Sequence, residues 1–359
     1  MKDCFKMIPG CLMAFALFTL NARADGANPT EAQAWAALTN FSLLHPPMAW
    51  ATNPPTQADL AKFDDDQAAR AGVLADQARD FYTRFASSAN VSRARVTEVQ
   101  ALQLALHYGA TNRLGDLEAS EQAIIDDTNA PVALRYQLRL DQIGRELPAE
   151  SAKGVDARTA LEKAGRELVK DFPNGSAGYN ILMDLATGAD LLKMHELAML
   201  MADSGGPPEL TDLGKGLQRR IDAVGKPLAI EFTAADGRAV NLTTLSNQVV
   251  LVDFWATWCP ECVTFSPKIK KLYDQLHSKG FDVVGINFDD DTNKAQQFIR
   301  EHDLPWPQYF GGRGPDNQFG REYSISALPV MWLVDRKGIV RDIHGTTELE
   351  AKVAKLMAE

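Results

Sequence analysis

The sequence predicts a chain of two parts, an all-helical N-terminal half and a C-terminal α/β domain with a mixed sheet flanked by helices. Apolar residues recur at helical spacing from about 30 to 222. After the turn-forming residues at 205–208 and 225–227, alternating strand patterns and then strand–helix alternation take over. We therefore expect a helical domain over 25–222 and an α/β domain over 223–359.

Composition restricts the class of protein. The chain has 359 residues, of which 45% are hydrophobic and 23% charged, as in soluble globular proteins long enough for two domains. Its formal net charge is -10, an acidic balance that argues against nucleic acid as a partner.

The first 24 residues have the pattern of a secretory signal peptide. Lys2 and Lys6 precede an apolar stretch over 7–20, and a small-residue cleavage site ends at Ala24. Cys11 resembles a bacterial lipidation site, but most of the apolar stretch follows it, so lipid anchoring is not expected. We predict a soluble, exported protein of the bacterial periplasm or cell envelope.

The helical half shows no clear repeat. Its apolar positions fit amphipathic helices, with Pro131 placed to begin one helix and Pro148 to end it. Residues 161–185 look like one tetratricopeptide-type helix pair, but the unit does not recur at a period of ~34 residues. The sequence does not distinguish an irregular helical bundle from a short solenoid. Either architecture would bind a partner or act as a spacer for the second domain.

The second half contains a regular series of elements. Asp236 and Gly237 mark the turn of a hairpin, and the stretch 304–328 is rich in loops. The other expected elements are, in order, a strand over 249–255, a helix from Cys259 or Pro260 to His277, a strand over 281–288, a helix over 292–302, paired strands over 330–334 and 339–343, and a helix over 348–357.

The most informative motif is the sequence Trp-Cys-Pro-Glu-Cys at 258–262, where a strand leads into a helix. Cys259 and Cys262 lie on one side of the first helical turn, close enough for a disulfide. Pro260 suits the first helical position, and the free amides and helix dipole there favour a thiolate. Cys259 is the expected exposed nucleophile and Cys262 the resolving thiol.

Two neighbours are expected to modify this pair. The aromatic Trp258 stands beside Cys259, and Glu261 places a negative charge between the cysteines. That charge opposes thiolate formation, so we predict a reductant or a couple of intermediate potential.

Other readings of the cysteines are a zinc site or a structural disulfide. A structural zinc needs four ligands, and neither a second cysteine pair nor a histidine at ligand spacing is present in the sequence. Trp258 and Pro260 at the strand-to-helix junction favour a catalytic pair over a structural bridge.

Residues 226–358 resemble the thioredoxin superfamily, and more narrowly the exported thiol-disulfide reductases of the TlpA and ResA type, which include cytochrome c maturation reductases. The resemblance covers a little over a third of the chain. It is carried by the active-site strand and helix at 250–262, the segment 323–329, the strand and turn at 330–338, and the hairpin around Asp236 and Gly237.

The resemblance implies roles for further residues. Pro329 would follow a cis peptide bond, which would present the Leu328 backbone to an extended substrate beside Trp258 and Pro260. Asp253 would be the buried general acid/base for Cys262, with its pKa raised by burial, although an ordinary hydrogen-bonded strand acid is the alternative. Gly285 stands where thioredoxins have a buried lysine.

The function expected is an exported thiol-disulfide oxidoreductase that reduces client protein disulfides. The electrons reside on sulfur, so no organic cofactor or metal is needed, and a separate thiol donor, membrane-bound by the resemblance, would regenerate the pair. A peroxidase of the same fold is one alternative, but Ala256 occupies the position where that class usually has threonine. A helical scaffold with an accessory redox domain is the other.

Overall fold

The computed structural model describes residues 28–244, 247–312 and 314–359 in two compact units, 28–130 and 131–359. The expected signal peptide lies outside the described residues. The expected domain boundary at 222–223 falls inside the second unit and stays a prediction. No helix in the described ranges has both the length and the apolar character needed to cross a bilayer.

The N-terminal unit is helical, as the periodicity predicts. Thr30 and Thr56 form capping boxes that begin its first two helices, each accepting a hydrogen bond from a first-turn amide. Ala78 and Phe81 are fully buried in its core. The helices are α1 (Glu31–Thr39), α2 (Gln57–Arg84), α3 (Val91–His107) and α4 (Leu114–Ile125), with 3-10 turns at Met48–Ala51 and Thr111–Arg113.

The second unit begins with five helices, and one sequence expectation about them is wrong. Pro148 does not end its helix, which continues to Ala152. The proline removes only one intrahelical hydrogen bond, and the last turn is completed by the Lys153 amide donating to the Ala149 carbonyl at 3.2 Å. The helices are α5 (Val132–Ala152), α6 (Ala157–Asp171), α7 (Ser176–Thr187), α8 (Leu191–Ala202) and α9 (Pro208–Asp222).

Helices α6 and α7 form the close pair expected over 161–185. A Cβ on Gly178 would lie 2.9 Å from the Gly165 carbonyl oxygen and 2.9 Å from Leu168 Cβ. Only a glycine allows the two helix backbones to approach this closely.

A five-stranded mixed sheet follows in the order β5-β4-β3-β6-β7, with a separate hairpin of β1 and β2. β3 pairs in parallel with β4 and antiparallel with β6. The strands are β1 (Glu231–Thr233), β2 (Ala239–Asn241), β3 (Val249–Trp255), β4 (Phe281–Asn287), β5 (Gln308–Phe310), β6 (Val330–Val334) and β7 (Val340–Asp342). The helices are α10 (Pro260–Leu276), α11 (Thr292–Glu301), α12 (Gln318–Glu322) and α13 (Leu349–Ala358), with 3-10 turns at His277–Lys279 and Gly314–Asp316.

This arrangement confirms the predicted fold class. β5 and α12 lie within the stretch 304–328 that the sequence predicts as loop-rich, because each is too short to show a period.

The two faces of β3 pack into different cores. Val249 and Leu251 pack with Ile269 of α10 and Val353 of α13. The alternate residues, including Val252, belong to a second core shared with helices α7 to α9. Because side chains alternate along a strand, this division tells us which face any residue of the sheet occupies.

Helix α9 also contacts the segment that leads to Pro329. Arg219 Nε donates a hydrogen bond to the Glu322 carbonyl at 2.7 Å. Ser324 Oγ donates one to the Leu213 carbonyl at 2.8 Å. The helices before residue 223 therefore support a loop of the α/β part.

Candidate active site

The two cysteines lie where β3 leads into α10, as the sequence predicts. Cys259 is the N-cap residue of α10, and Pro260 occupies the first turn. The amide of Cys262 donates a hydrogen bond to Cys259 Sγ at 3.1 Å. This is the capping arrangement of a helix start with sulfur as the acceptor, and it would also stabilise negative charge on that sulfur.

Cys259 and Cys262 form a disulfide, with S–S 2.18 Å and Cα–Cα 5.3 Å. The expected exposure of Cys259 is not seen in this oxidised form, since both cysteines are 4% exposed. As a helix cap, the Cys259 sulfur turns back toward the α10 amides, and the residue packs in the same core as Phe254 and Ala256. The neighbouring Trp258 is 57% exposed instead.

A buried polar network that sequence analysis missed holds the loop before Cys259. Asp289 accepts hydrogen bonds from the Thr257 amide at 2.9 Å, from Thr257 Oγ1 at 2.5 Å and from Asn287 Nδ2 at 2.6 Å. Trp258 Nε1 donates to the Phe288 carbonyl at 3.3 Å. The sequence predicts a loop and a helix cap for the three acidic residues 289–291. Asp291 does cap α11, but Asp289 is buried and bonded to the loop before Cys259.

The peptide bond between Leu328 and Pro329 is cis, as the resemblance implies. Val330 begins β6 and pairs with Phe254 near the end of β3, which brings the cis-proline segment to the edge of the sheet where Cys259 lies. Residues 326 and 327 are exposed, and Leu328 and Pro329 are half-buried. The segment therefore reaches the protein surface immediately before Pro329.

Asp253 lies in the middle of β3 and is 7% exposed. Burial raises the pKa of its carboxyl group to about 7, and its Oδ1 atom has no hydrogen-bond partner. A carboxyl group that titrates near neutral pH can accept and return a proton under physiological conditions.

Gly285 is the β4 residue in register with Asp253. Side chains in register on neighbouring strands share a face, so a lysine at this position would lie beside the carboxyl group. Its replacement by glycine leaves Asp253 without that cation.

Glu261 is exposed in the first turn of α10. Its negative charge lies at the helix end where the dipole is positive, close to both sulfur atoms in sequence. Among the residues that the structure describes, no group of three or more His, Cys, Asp or Glu is placed to hold a metal ion.

Comparison with known proteins identifies the C-terminal part. The Redoxin family model matches residues 223–357. The thiol-disulfide oxidoreductase ResA of Bacillus thuringiensis is 25% identical over 114 residues, covering 32% of this chain and 64% of the relative. The thioredoxin-like protein YneN of Bacillus subtilis is 30% identical over 124 residues, covering 33% of this chain and 70% of the relative.

A solved structure gives a similar match. The crystal structure of a putative thiol:disulfide interchange protein DsbE from Chlorobium tepidum is 28% identical, covering 37% of this chain and 97% of that one with a TM-score of 0.33. The chain spans 64% of the length of the ResA relative that it matches. Through its C-terminal part, the chain belongs to the redoxin family of thioredoxin-like proteins, among relatives of the ResA type.

Proposed function

We propose that this protein is a thiol-disulfide oxidoreductase that reduces disulfides of client proteins in the bacterial cell envelope. The observation that carries the proposal is the Cys259–Cys262 disulfide at the N-terminus of α10, with the Cys262 amide donating to Cys259 Sγ. This is a reversible two-electron couple next to a cis-proline segment, and its relatives include a protein named as a thiol-disulfide oxidoreductase.

The reaction starts from the reduced protein. The Cys259 thiolate attacks one sulfur of a client disulfide, forming a mixed disulfide and releasing the other client sulfur as a thiolate. Cys262 gives its proton to ionised Asp253 and attacks Cys259 Sγ, which releases the second client thiolate. The client gains two electrons, and the protein is left as the Cys259–Cys262 disulfide.

Each remaining residue has a part in this scheme. Trp258, Pro260 and the Leu328 backbone contact the client peptide. Pro329 keeps the Leu328 backbone at the start of β6, where the client can pair with it. Glu261 disfavours the Cys259 thiolate and makes the couple more reducing. A separate thiol donor, membrane-bound in the resembling proteins, returns two electrons to the disulfide, and no organic cofactor or metal takes part.

The order of the two cysteines is tested by client trapping with the full chain. Cys262→Ser leaves the attacking thiol without its resolving partner and should accumulate mixed disulfides, identifiable by mass spectrometry. Cys259→Ser should trap none. Trapping by Cys259→Ser alone would reverse the two roles, and trapping by neither would remove the reductase proposal.

The exposure of Cys259 is a separate test, because the oxidised form buries it. We expect the reduced protein to react with iodoacetamide at Cys259 well before Cys262. Equal, slow labelling of both cysteines in folded protein would mean that the client cannot reach the proposed nucleophile.

Activity assays separate the alternatives. Insulin reduction by the full chain, abolished by Cys259→Ser, supports disulfide reduction. If the protein consumes peroxide faster than it reduces insulin, the peroxidase is supported. If it shows no reductase activity and Cys259→Ser leaves partner binding unchanged, the scaffold is supported.

The proposed effect of Glu261 is measurable at equilibrium with glutathione. Glu261→Gln should raise the reduction potential, because the thiolate form loses a repulsive charge. Glu350→Gln, in the first turn of α13, is the matched control and should leave the potential unchanged. A lower potential in Glu261→Gln would contradict the assigned role.

A further inference from the structure

Gln308 is a buried amide that the proposed reaction does not use. It lies in β5 and is 4% exposed. Trp255 Nε1 donates a hydrogen bond to its Oε1 atom at 3.0 Å, while its Nε2 atom has no partner. Because an indole nitrogen only donates, it requires the amide oxygen on its side and leaves the Nε2 donor facing elsewhere.

Register places this amide in one row with the buried carboxyl group. Asp253 of β3 is in register with Gly285 of β4, which is in register with Gln308 of β5. The preceding in-register pair on that face, Leu251 and Val283, packs into the core beneath α10 and α13. Asp253 and Gln308 therefore point to the same face, on either side of Gly285.

Gly285 lets the amide reach across the row. A Cβ on Gly285 would lie 1.9 Å from Gln308 Oε1 and 2.8 Å from Nε2. The carboxamide thus occupies the space of the missing Gly285 side chain, and Gly285 is the β4 residue in register with Asp253. Gln308 Nε2 is a buried donor without a partner and Asp253 Oδ1 is a buried acceptor without one, on the two strands that flank Gly285.

Asp253 Oδ1 accepts no hydrogen bond from any other residue that the structure describes. Its neighbour in register on β6 is the apolar Met331. On α10, Ser266 lies one turn before Ile269, which packs in this core, and the Ser266 hydroxyl has no partner. Cys262 is held in the disulfide. Burial raises the Asp253 pKa, and no charged group among the described residues contributes to that shift.

We propose that Gln308 is a positioning residue whose Nε2 donor, placed by the space that Gly285 leaves to the carboxamide, supports the ionised form of Asp253 through one bridging water. An unpaired buried carboxylate is costly, and a hydrogen bond to the charged form favours it. Gln308 thereby sets how readily Asp253 accepts a proton. The consequence for Cys262 rests on the proposed function, whereas the titration of Asp253 does not.

The test is the titration of the Asp253 carboxyl carbon by NMR in the oxidised full chain. Gln308→Met keeps the side-chain length and removes the donor, and it should raise the Asp253 pKa by about one pH unit. Trp255→Phe is the matched control, because it breaks the same Trp255–Gln308 hydrogen bond but keeps the amide donor. It should leave the Asp253 pKa near the wild-type value.

Gly285→Ala tests the same idea without changing any polar group. Its added Cβ displaces the carboxamide, and the Asp253 pKa should again rise. This variant decides the question if Gln308→Met does not fold. An Asp253 pKa unchanged by whichever of the two substitutions folds, or raised equally by Trp255→Phe, overturns the proposal.

A kinetic readout links the pair to sulfur chemistry. In reduced protein, Gln308→Met should shift the pH dependence of Cys262 alkylation in the same direction as the Asp253 pKa. In an Asp253→Asn background, Gln308→Met should produce no shift. A shift that persists there would show that Gln308 acts on Cys262 by another route, against the proposal.

Discussion

The two units of the molecule each bury a carboxylate, and they treat it in opposite ways. In the N-terminal unit, Glu98 is 1% exposed, accepts a hydrogen bond from Arg79 Nε at 2.6 Å and another from Tyr82 OH at 2.8 Å. In the second unit, Asp253 is also buried, but no charged group among the described residues contributes to its pKa, and one of its oxygens has no partner.

The difference separates a structural carboxylate from a reactive one. At Glu98, the Arg79 guanidinium and the Tyr82 hydroxyl replace the water that the carboxylate loses on burial. Asp253 loses water without such replacement, so its proton affinity rises into the physiological range. Buried acids left in this condition are candidates for proton transfer, which agrees with the place of Asp253 on the strand that leads to Cys259.

The largest expected effect is the pH dependence that Asp253 imposes on stability. Its pKa is raised in the folded protein from 3.8 to about 7. Between these values the unfolded chain carries the carboxylate while the folded chain holds the proton, so stability is full below pH 4 and falls as pH rises toward 7. The loss amounts to about 4 kcal/mol, and Asp253→Asn should abolish it.

Urea denaturation at a series of pH values checks this slope. The control is Asp236→Asn. The Arg238 hydrogen bond lowers the pKa of Asp236, so the stability that Asp236 contributes is lost only as pH falls, and the variant should keep the loss between pH 4 and pH 7. A wild-type stability that stays flat from pH 4 to pH 7 would show that Asp253 is better solvated than its burial indicates.

The next effect concerns the charge pair of the N-terminal unit. Arg79→Ala leaves the buried Glu98 without its cation and should lower the free energy of unfolding by about 2 kcal/mol, because Arg79 is half-exposed and Tyr82 still donates to the carboxylate. Arg84→Ala on the same helix breaks a more exposed pair with Asp80 and should cost less than about 1 kcal/mol. Equal losses in the two variants would remove the contrast between Glu98 and Asp253.

The smallest effect is that of the second hydrogen bond to Glu98. Tyr82→Phe removes a donor to a charged acceptor and should lower the free energy of unfolding by about 1.5 kcal/mol. Together with Arg79→Ala in a double-mutant cycle, it should show coupling, because both groups bond to one carboxylate. Strict additivity would mean that Tyr82 contributes by packing alone.

Local patterns allowed much of the site to be predicted. β3 begins and ends at the residues that the apolar run indicates, and α10 begins at the proline that suits a first helical turn. The positions of Cys259 and Cys262 follow from these two elements, because a spacing of three residues on one helical turn brings the sulfur atoms together. The cis bond before Pro329 followed from resemblance rather than from any local rule.

Other features depend on contacts between distant segments. Asp289 reads as one of three acidic loop residues, and only the fold shows it beneath Thr257, 32 residues earlier. Gln308 lies in a strand too short to show a period. The low exposure of Cys259 likewise depends on what packs around the helix start, which its own sequence does not specify.

The sequence by itself determined the redox pair, the strand and helix that carry it, and the division into helical and α/β parts, because each follows from residue types and spacings within one or two turns of chain. Only the tertiary structure decided the register that aligns Asp253, Gly285 and Gln308 across three strands. Strand order and register are set by packing between segments far apart in sequence, so the environment that governs a buried proton emerges only when they meet.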